Sequence, residues 1–279
     1  MRPSRMLLAA VLPLAAVLAL VPRPATAQGH DDDDDGANWV ARCQRWNNHG
    51  SDRETFCEQR ETRISRPSLL SVDGRENGGV SVKVWDGSDV LVRQRIQAWA
   101  PSRDEARSVA SAVRVHTGGG EIYADGPDNA RRRGYSVSYE IFVPRRMDLR
   151  LVTNNGPVSV NGVTGRMELR AHNGPLALRD LGGDVHARAD NGPLAVILGG
   201  SSWSGGGLDA ATTNGPVTLS VPSGYRATLT TGTVNGPMNV DIPVTIQGRF
   251  PRQFTTQLGG GGAPVRAVTT NGPVTVRRR

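Results

Sequence analysis

Glu168, His186 and Asp209 are the residues of this chain whose types and spacing could do chemistry. They recur at matching positions of successive repeat units, with Arg170 and Arg188 two residues further along. If neighbouring units lie side by side at strand spacing, ~4.8 Å, two carboxylates and an imidazole could share a proton or a metal ion. The same column begins with Arg150 and continues as Thr230 and Arg266, varying as a solvated strand face does. Cross-strand charges also have a plain structural use, worth ~0.2–1 kcal/mol per pair. A reaction centre would further need a concave, water-excluding pocket. The preferred reading is therefore a solvated face, with no catalytic, cofactor-binding or metal-ligating residues assigned.

Other searches for chemistry end in structure. His-Glu-x-x-His, Gly-x-Ser-x-Gly and Gly-x-Gly-x-x-Gly are missing. Lys83 is the one lysine, which removes a Gly-x-x-x-x-Gly-Lys phosphate loop. Cys43 and Cys57 could be a redox or metal pair, or a disulfide. Their separation of 14 fits neither Cys-x-x-Cys nor zinc-ligand spacing. An even count in an exported chain favours the disulfide.

Export is read from the first residues. Arg2 and Arg5 precede an apolar run from Met6 to Val21, and Ala25-Thr26-Ala27 fits signal peptidase cleavage. Removing 1–27 takes away three arginines and no acid, lowering the formal charge from +7 to +4. That charge is too mild to imply a nucleic-acid partner. No second long apolar run follows, so no transmembrane segment is expected after cleavage. Asp31 to Asp35 read as a self-repelling acidic leader.

The elements that would position the column come from an internal repeat. Asn-Gly-Pro occurs six times, at Asn155-Gly156, Asn173-Gly174, Asn191-Gly192, Asn214-Gly215, Asn235-Gly236 and Asn271-Gly272, each followed by Pro. The spacings are 18, 18, 23, 21 and 36. After each corner, apolar residues stand at alternate positions, as in Val158-Ser159-Val160 and Leu176-Ala177-Leu178. Six residues before each Asn lies an apolar residue, from Leu149 and Met167 to Val265. Period 2 on both sides means strand, corner, strand. Asn and Gly suit a corner with φ > 0, and Pro opens the next strand. Stacked asparagines could form an amide ladder.

Units this short cannot each bury a core, so they must stack. The expected fold is all-β, a parallel β-solenoid with one short helix and a disulfide-containing N-terminal cap. Ser102, Glu105 and the stripe Ala106, Val109, Ala110, Val113 predict that helix. The expected domains are a signal peptide at 1–27, a disordered leader at 28–37, a cap at 38–76 and the solenoid at 77–279.

Further residues carry a family resemblance: Cys57-Glu58-x-Arg60-Glu61, Asn77-Gly78-Gly79, Ser138-Tyr139-Glu140, Val143-Pro144-Arg145 and the Thr-Asn-Gly repeats. Over about 77–279 the chain resembles bacterial exported proteins of the putative-adhesin family, which have a β-strand-repeat domain. That family usually has Asn-Gly-Gly where this chain has Asn-Gly-Pro. The resemblance implies a β-solenoid without transferable catalytic residues. The expected function is a non-catalytic surface or envelope interaction module, located in the periplasm, on the cell surface or in the medium. Its partner would be an envelope component, a glycan or a protein. The alternatives are a carbohydrate-active β-helix lyase or hydrolase, and an envelope-stress component.

Overall fold

The computed structural model describes residues 36–47, 52–243 and 252–279. The expected signal peptide at 1–27 and residues 28–35 of the expected leader lie outside the described residues. In chain order come α1 (Gly36–Asn47), β1 (Glu54–Ile64), β2 (Leu69–Asp73), β3 (Val80–Val84), β4 (Val90–Ala100) and α2 (Arg103–Ala112). Next are β5 (Arg114–His116), β6 (Glu121–Asp125), β7 (Gly134–Val143), β8 (Asp148–Thr153), β9 (Val158–Asn161), β10 (Thr164–Ala171) and β11 (Leu176–Arg179). Then follow β12 (Gly182–Asn191), β13 (Leu194–Ile197), β14 (Gly207–Asn214), β15 (Val217–Val221) and β16 (Ala227–Asn235). The last are β17 (Met238–Asp241), β18 (Gln253–Leu258), β19 (Pro264–Asn271) and β20 (Val274–Arg278).

These strands form two ten-stranded sheets. The first runs β1-β4-β7-β3-β9-β11-β13-β15-β20-β17, and the second β18-β16-β19-β14-β12-β10-β8-β2-β6-β5. Alternation explains how they pack. Leu149, Leu151, Met167, Leu169, Val185 and Leu208 of the second sheet are buried. So are Val158, Val160, Leu176, Leu178, Leu194 and Leu219 of the first. Each fully buried side chain of this size is worth ~1.5–3 kcal/mol, and together they make one core between the sheets. Each Asn-Gly-Pro corner carries the chain from a strand of the second sheet to one of the first.

The expected parallel β-solenoid is not the fold. Both sheets are mixed: β1 with β4, β4 with β7, β5 with β6 and β16 with β18 pair antiparallel. Strand order also departs from sequence order. β19 lies between β14 and β16, and β20 between β15 and β17, so the last unit inserts inside its predecessor. The physical reason lies in the longest spacing, 36 residues between Asn235 and Asn271. That stretch holds β18, which turns back antiparallel on β16 and leaves the other edge of β16 for β19.

The corners differ from expectation too. None of Gly156, Gly174, Gly192, Gly215 and Gly236 has φ in the left-handed range; Gly272 alone of the six has a positive value, 155°. Glycine is required there by close approach. A Cβ on Gly174 would come well under 3.0 Å from the carbonyl oxygen of Gly156, and one on Gly192 would meet that of Gly174. The column continues without a break from Gly78 to Gly236.

Beside it runs a ladder of side-chain amides. Asn155 Nδ2 donates to Asn77 Oδ1 (3.4 Å), Asn173 to Asn155 (2.9 Å), Asn191 to Asn173 (2.9 Å) and Asn214 to Asn191 (2.8 Å). Asn271 donates to Asn214 and Asn235 to Asn271, each at 2.8 Å. The ladder follows spatial order, so it too passes from 214 to 271 before 235. Identical amides stacked at strand spacing satisfy one another, which pins the register of all these strands.

At the other end, α2 begins where Ser102 Oγ accepts from the Glu105 backbone N–H (3.3 Å) and buries Ala106, Val109 and Ala110. A disulfide joins Cys43 of α1 to Cys57 of β1, with Cα atoms 6.3 Å apart.

Candidate functional site: the outer face of the second sheet

Residues facing away from the core along β8, β10, β12, β14 and β19 form a charged surface. In-register pairing sets Arg150 beside Glu168, Glu168 beside His186, His186 beside Asp209 and Asp209 beside Arg266. One column further, Arg170 stands beside Arg188.

The side chains do not converge as a reaction centre would. Asp209 is gripped from both sides: Arg188 Nη2 donates to its Oδ2, and Arg266 Nη1 donates to Oδ1 at 2.8 Å. Partial burial pushes the Asp209 carboxyl up, but these two guanidiniums outweigh it and hold the group below the ordinary carboxylate range. It stays an anion with no proton to give. His186 turns to Asp184 of its own strand, with Nε2 3.4 Å from Oδ1. His172 Nδ1 contacts Asp190 Oδ2 at 2.5 Å. Among the described residues, no group of three or more His, Cys, Asp or Glu side chains could hold a metal ion.

The Asp209 clamp has a pH signature. A carboxylate whose folded pKa is depressed adds stability above its unfolded pKa, near ~4, and that stability is lost as pH falls through the folded value. We expect Asp209→Asn to lower thermal stability at pH 7 and to leave it unchanged near pH 2. Melting curves across that range check this; equal losses at both ends would contradict it.

Around Glu168 the balance is different. Arg166 and Arg170 flank it on β10 and Arg150 faces it from β8, all three exposed. Among the described residues none of these guanidiniums is within ion-pair distance of a carboxylate. Beside them a groove of about 690 Å³ runs over Arg170, His172, Arg188 and Arg266 toward Val234. This surface offers cations in a row on a rigid sheet. It can hold an acidic partner by charge and shape.

The column of Glu168, His186 and Asp209 was visible in the repeat alignment. The pairing of Asp209 with Arg266 was not, since sequence order puts Thr230 next. The three free arginines carry no spacing signal beyond alternation.

No family model matches the chain, and no curated protein matches it. No described helix is long and apolar enough to cross a membrane. Among solved structures the chain is similar to a "putative cell adhesion protein" from Clostridium sporogenes, at 9% identity over 80% of this chain and 100% of that one, with TM-score 0.42. It is also similar to a "putative adhesin" from Bacteroides fragilis, at 8% identity, 80% and 97% coverage and TM-score 0.32. A third is a "putative lipid binding protein" from Parabacteroides distasonis, at 12% identity, 79% and 96% coverage and TM-score 0.26.

Proposed function

We propose that this chain is a non-catalytic, exported interaction module that engages an acidic envelope or surface partner through the outer face of its second sheet. The observation that carries this reading is the cluster of Arg150, Arg166 and Arg170 around Glu168, exposed and, among the described residues, with no guanidinium in an ion pair, even though Asp184 stands beside Arg166 in register. Cations left unpaired on an exposed sheet face cost little in water and are available to an incoming anion. The strands beneath are pinned by the asparagine ladder, so the charges are presented in fixed positions and little ordering is lost on binding. We further propose 1–27 as the export signal, 28–37 as the acidic leader, 38–76 as an N-terminal segment and 77–279 as the repeat body. A disulfide and an oxidising compartment fit together.

The glycosidase alternative needs two carboxyl groups with divided roles, one of them protonated. Asp209, held ionised between two arginines, has no proton to give as the acid, and both its oxygens are already taken by Arg188 and Arg266; Glu168 stands on an open face.

Co-sedimentation with cross-linked dextran sulfate, against unmodified dextran, tests the reading. Binding to the sulfated beads alone, released by salt as screening predicts, is expected. Equal retention on both would overturn it.

A further inference from the structure

The asparagine ladder has an open end, and a cleft begins there. Asn77 accepts from Asn155 through Oδ1, while its own Nδ2 has no ladder neighbour to donate to. Beyond it lies a cleft of about 460 Å³, between the β2–β3 turn and the β6–β7 loop, within the size range of small-ligand pockets. It is lined by Arg75, Glu76, Asn77, Asp128, Tyr135 and Tyr139, among others.

Two features mark the cleft as built. Tyr139 is 2% exposed, yet its Oη has no hydrogen-bond partner. Leaving a buried hydroxyl unpaired is costly, and native structures rarely do so without a use. The charges that act on this phenol, after the dominant effect of burial, belong to Asp73, Tyr135, Arg75 and Asp125 around the cleft. Tyr139 itself is one of the residues that line the cleft. Burial raises its pKa, so it stays a neutral donor and acceptor.

The second feature is Arg75, a non-glycine residue at φ 54°. Such strain persists where the surroundings over-determine it. Here its guanidinium reaches Asp73 (3.3 Å) and Asp125 (3.4 Å) and lies over the Tyr123 ring at 4.8 Å. Arg75 is thus committed to the wall.

What the cleft offers a ligand is the Glu76 and Asp128 carboxylates as acceptors, the phenols of Tyr135 and Tyr139 as donors or acceptors, and the Asn77 amide as a donor. That set complements a compact molecule rich in hydroxyl or ammonium donors and repels an anion. We infer that the cleft at the open end of the asparagine ladder binds a neutral or amine-bearing sugar residue, with the Tyr139 hydroxyl completing its hydrogen bonding through the ligand. This site is separate from the arginine face and stands whether or not that face binds a partner.

The test is calorimetric titration of the purified protein with glucose, glucosamine and glucuronate. Glucose or glucosamine should bind, and glucuronate should bind at least tenfold more weakly. Tyr139→Phe should weaken binding about tenfold while leaving thermal stability equal or higher, because it removes an unpaired buried hydroxyl. A residue with a merely structural role would not separate the two readouts in this way. Asp128→Asn, an exposed change that spares the fold, should weaken glucosamine binding more than glucose binding. The inference is overturned if neither glucose nor glucosamine binds. It is equally overturned if Tyr139→Phe binds like wild type, if glucuronate binds as well as glucose, or if Asp128→Asn leaves both sugars unaffected.

Discussion

Gly174→Ala should destabilise the protein by about 3 kcal/mol, more than a methyl group normally costs on a surface turn. The added Cβ would press on the Gly156 carbonyl oxygen, which is backbone held by the neighbouring strands and has no rotamer to escape into. Gly174 is not in the left-handed region, so the penalty is steric and any L-residue incurs it. Gly200 supplies the contrast: φ is 66° and a Cβ there would meet nothing within 4 Å. Gly200→Ala should cost only the left-handed backbone penalty, about 1 kcal/mol. For a domain of this size the melting temperature should fall by roughly 6–12 °C for the first variant and by about 3 °C for the second. Equal shifts would mean that conformational freedom, and not close approach, selects glycine at the corners.

Removing the disulfide should have a comparable effect. Cys43 and Cys57 are 9% and 2% exposed, and the bond closes a loop with sequence separation 14. A loop of that length restricts the unfolded chain by about 3 kcal/mol in the chain-entropy model. The bond also ties α1 to β1, an edge strand whose partner is β4 alone. Changing both cysteines to alanine should therefore lower the melting temperature by roughly 6–12 °C. Wild-type protein under a strong thiol reductant should melt like the variant. A wild-type melt unaffected by reduction would contradict the prediction.

Local structure could be read from the sequence because it depends on neighbouring residues. Leu149 and Leu151, or Met167 and Leu169, announce strands by period 2, and Ser102 with Glu105 announces α2. The ladder partners of Asn155, Asn173 and Asn191 follow from equal spacing. Spatial order could not be read so. Asn235 and Asn271 look like successive members of one series, yet Asn271 bonds to Asn214 and stands between the two. Nothing in either corner encodes which of two equivalent edges it joins; the excursion through β18 decides it. The same reordering brought Arg266 to Asp209 and turned a column of possible catalytic groups into an ion-pair clamp. Likewise the alternation over Val90–Ala100 announces a strand but not that β1 and β7 flank it antiparallel. The cleft was hidden for a related reason: Tyr139, Arg75 and Asp128 come from three separate segments, and no motif links them.

The central claim is that three particular arginines, and not net charge, recognise an acidic surface. The most direct measurement compares two triple variants of equal charge for binding to dextran sulfate at low and moderate salt. Arg150→Gln, Arg166→Gln and Arg170→Gln together empty the sheet face. Arg131→Gln, Arg132→Gln and Arg133→Gln together remove the same charge from the exposed β6–β7 loop. Binding should fall at least tenfold in the first variant, with a shallower salt dependence, and by less than threefold in the second. Equal losses in both would show that the protein binds through bulk charge and would contradict the account.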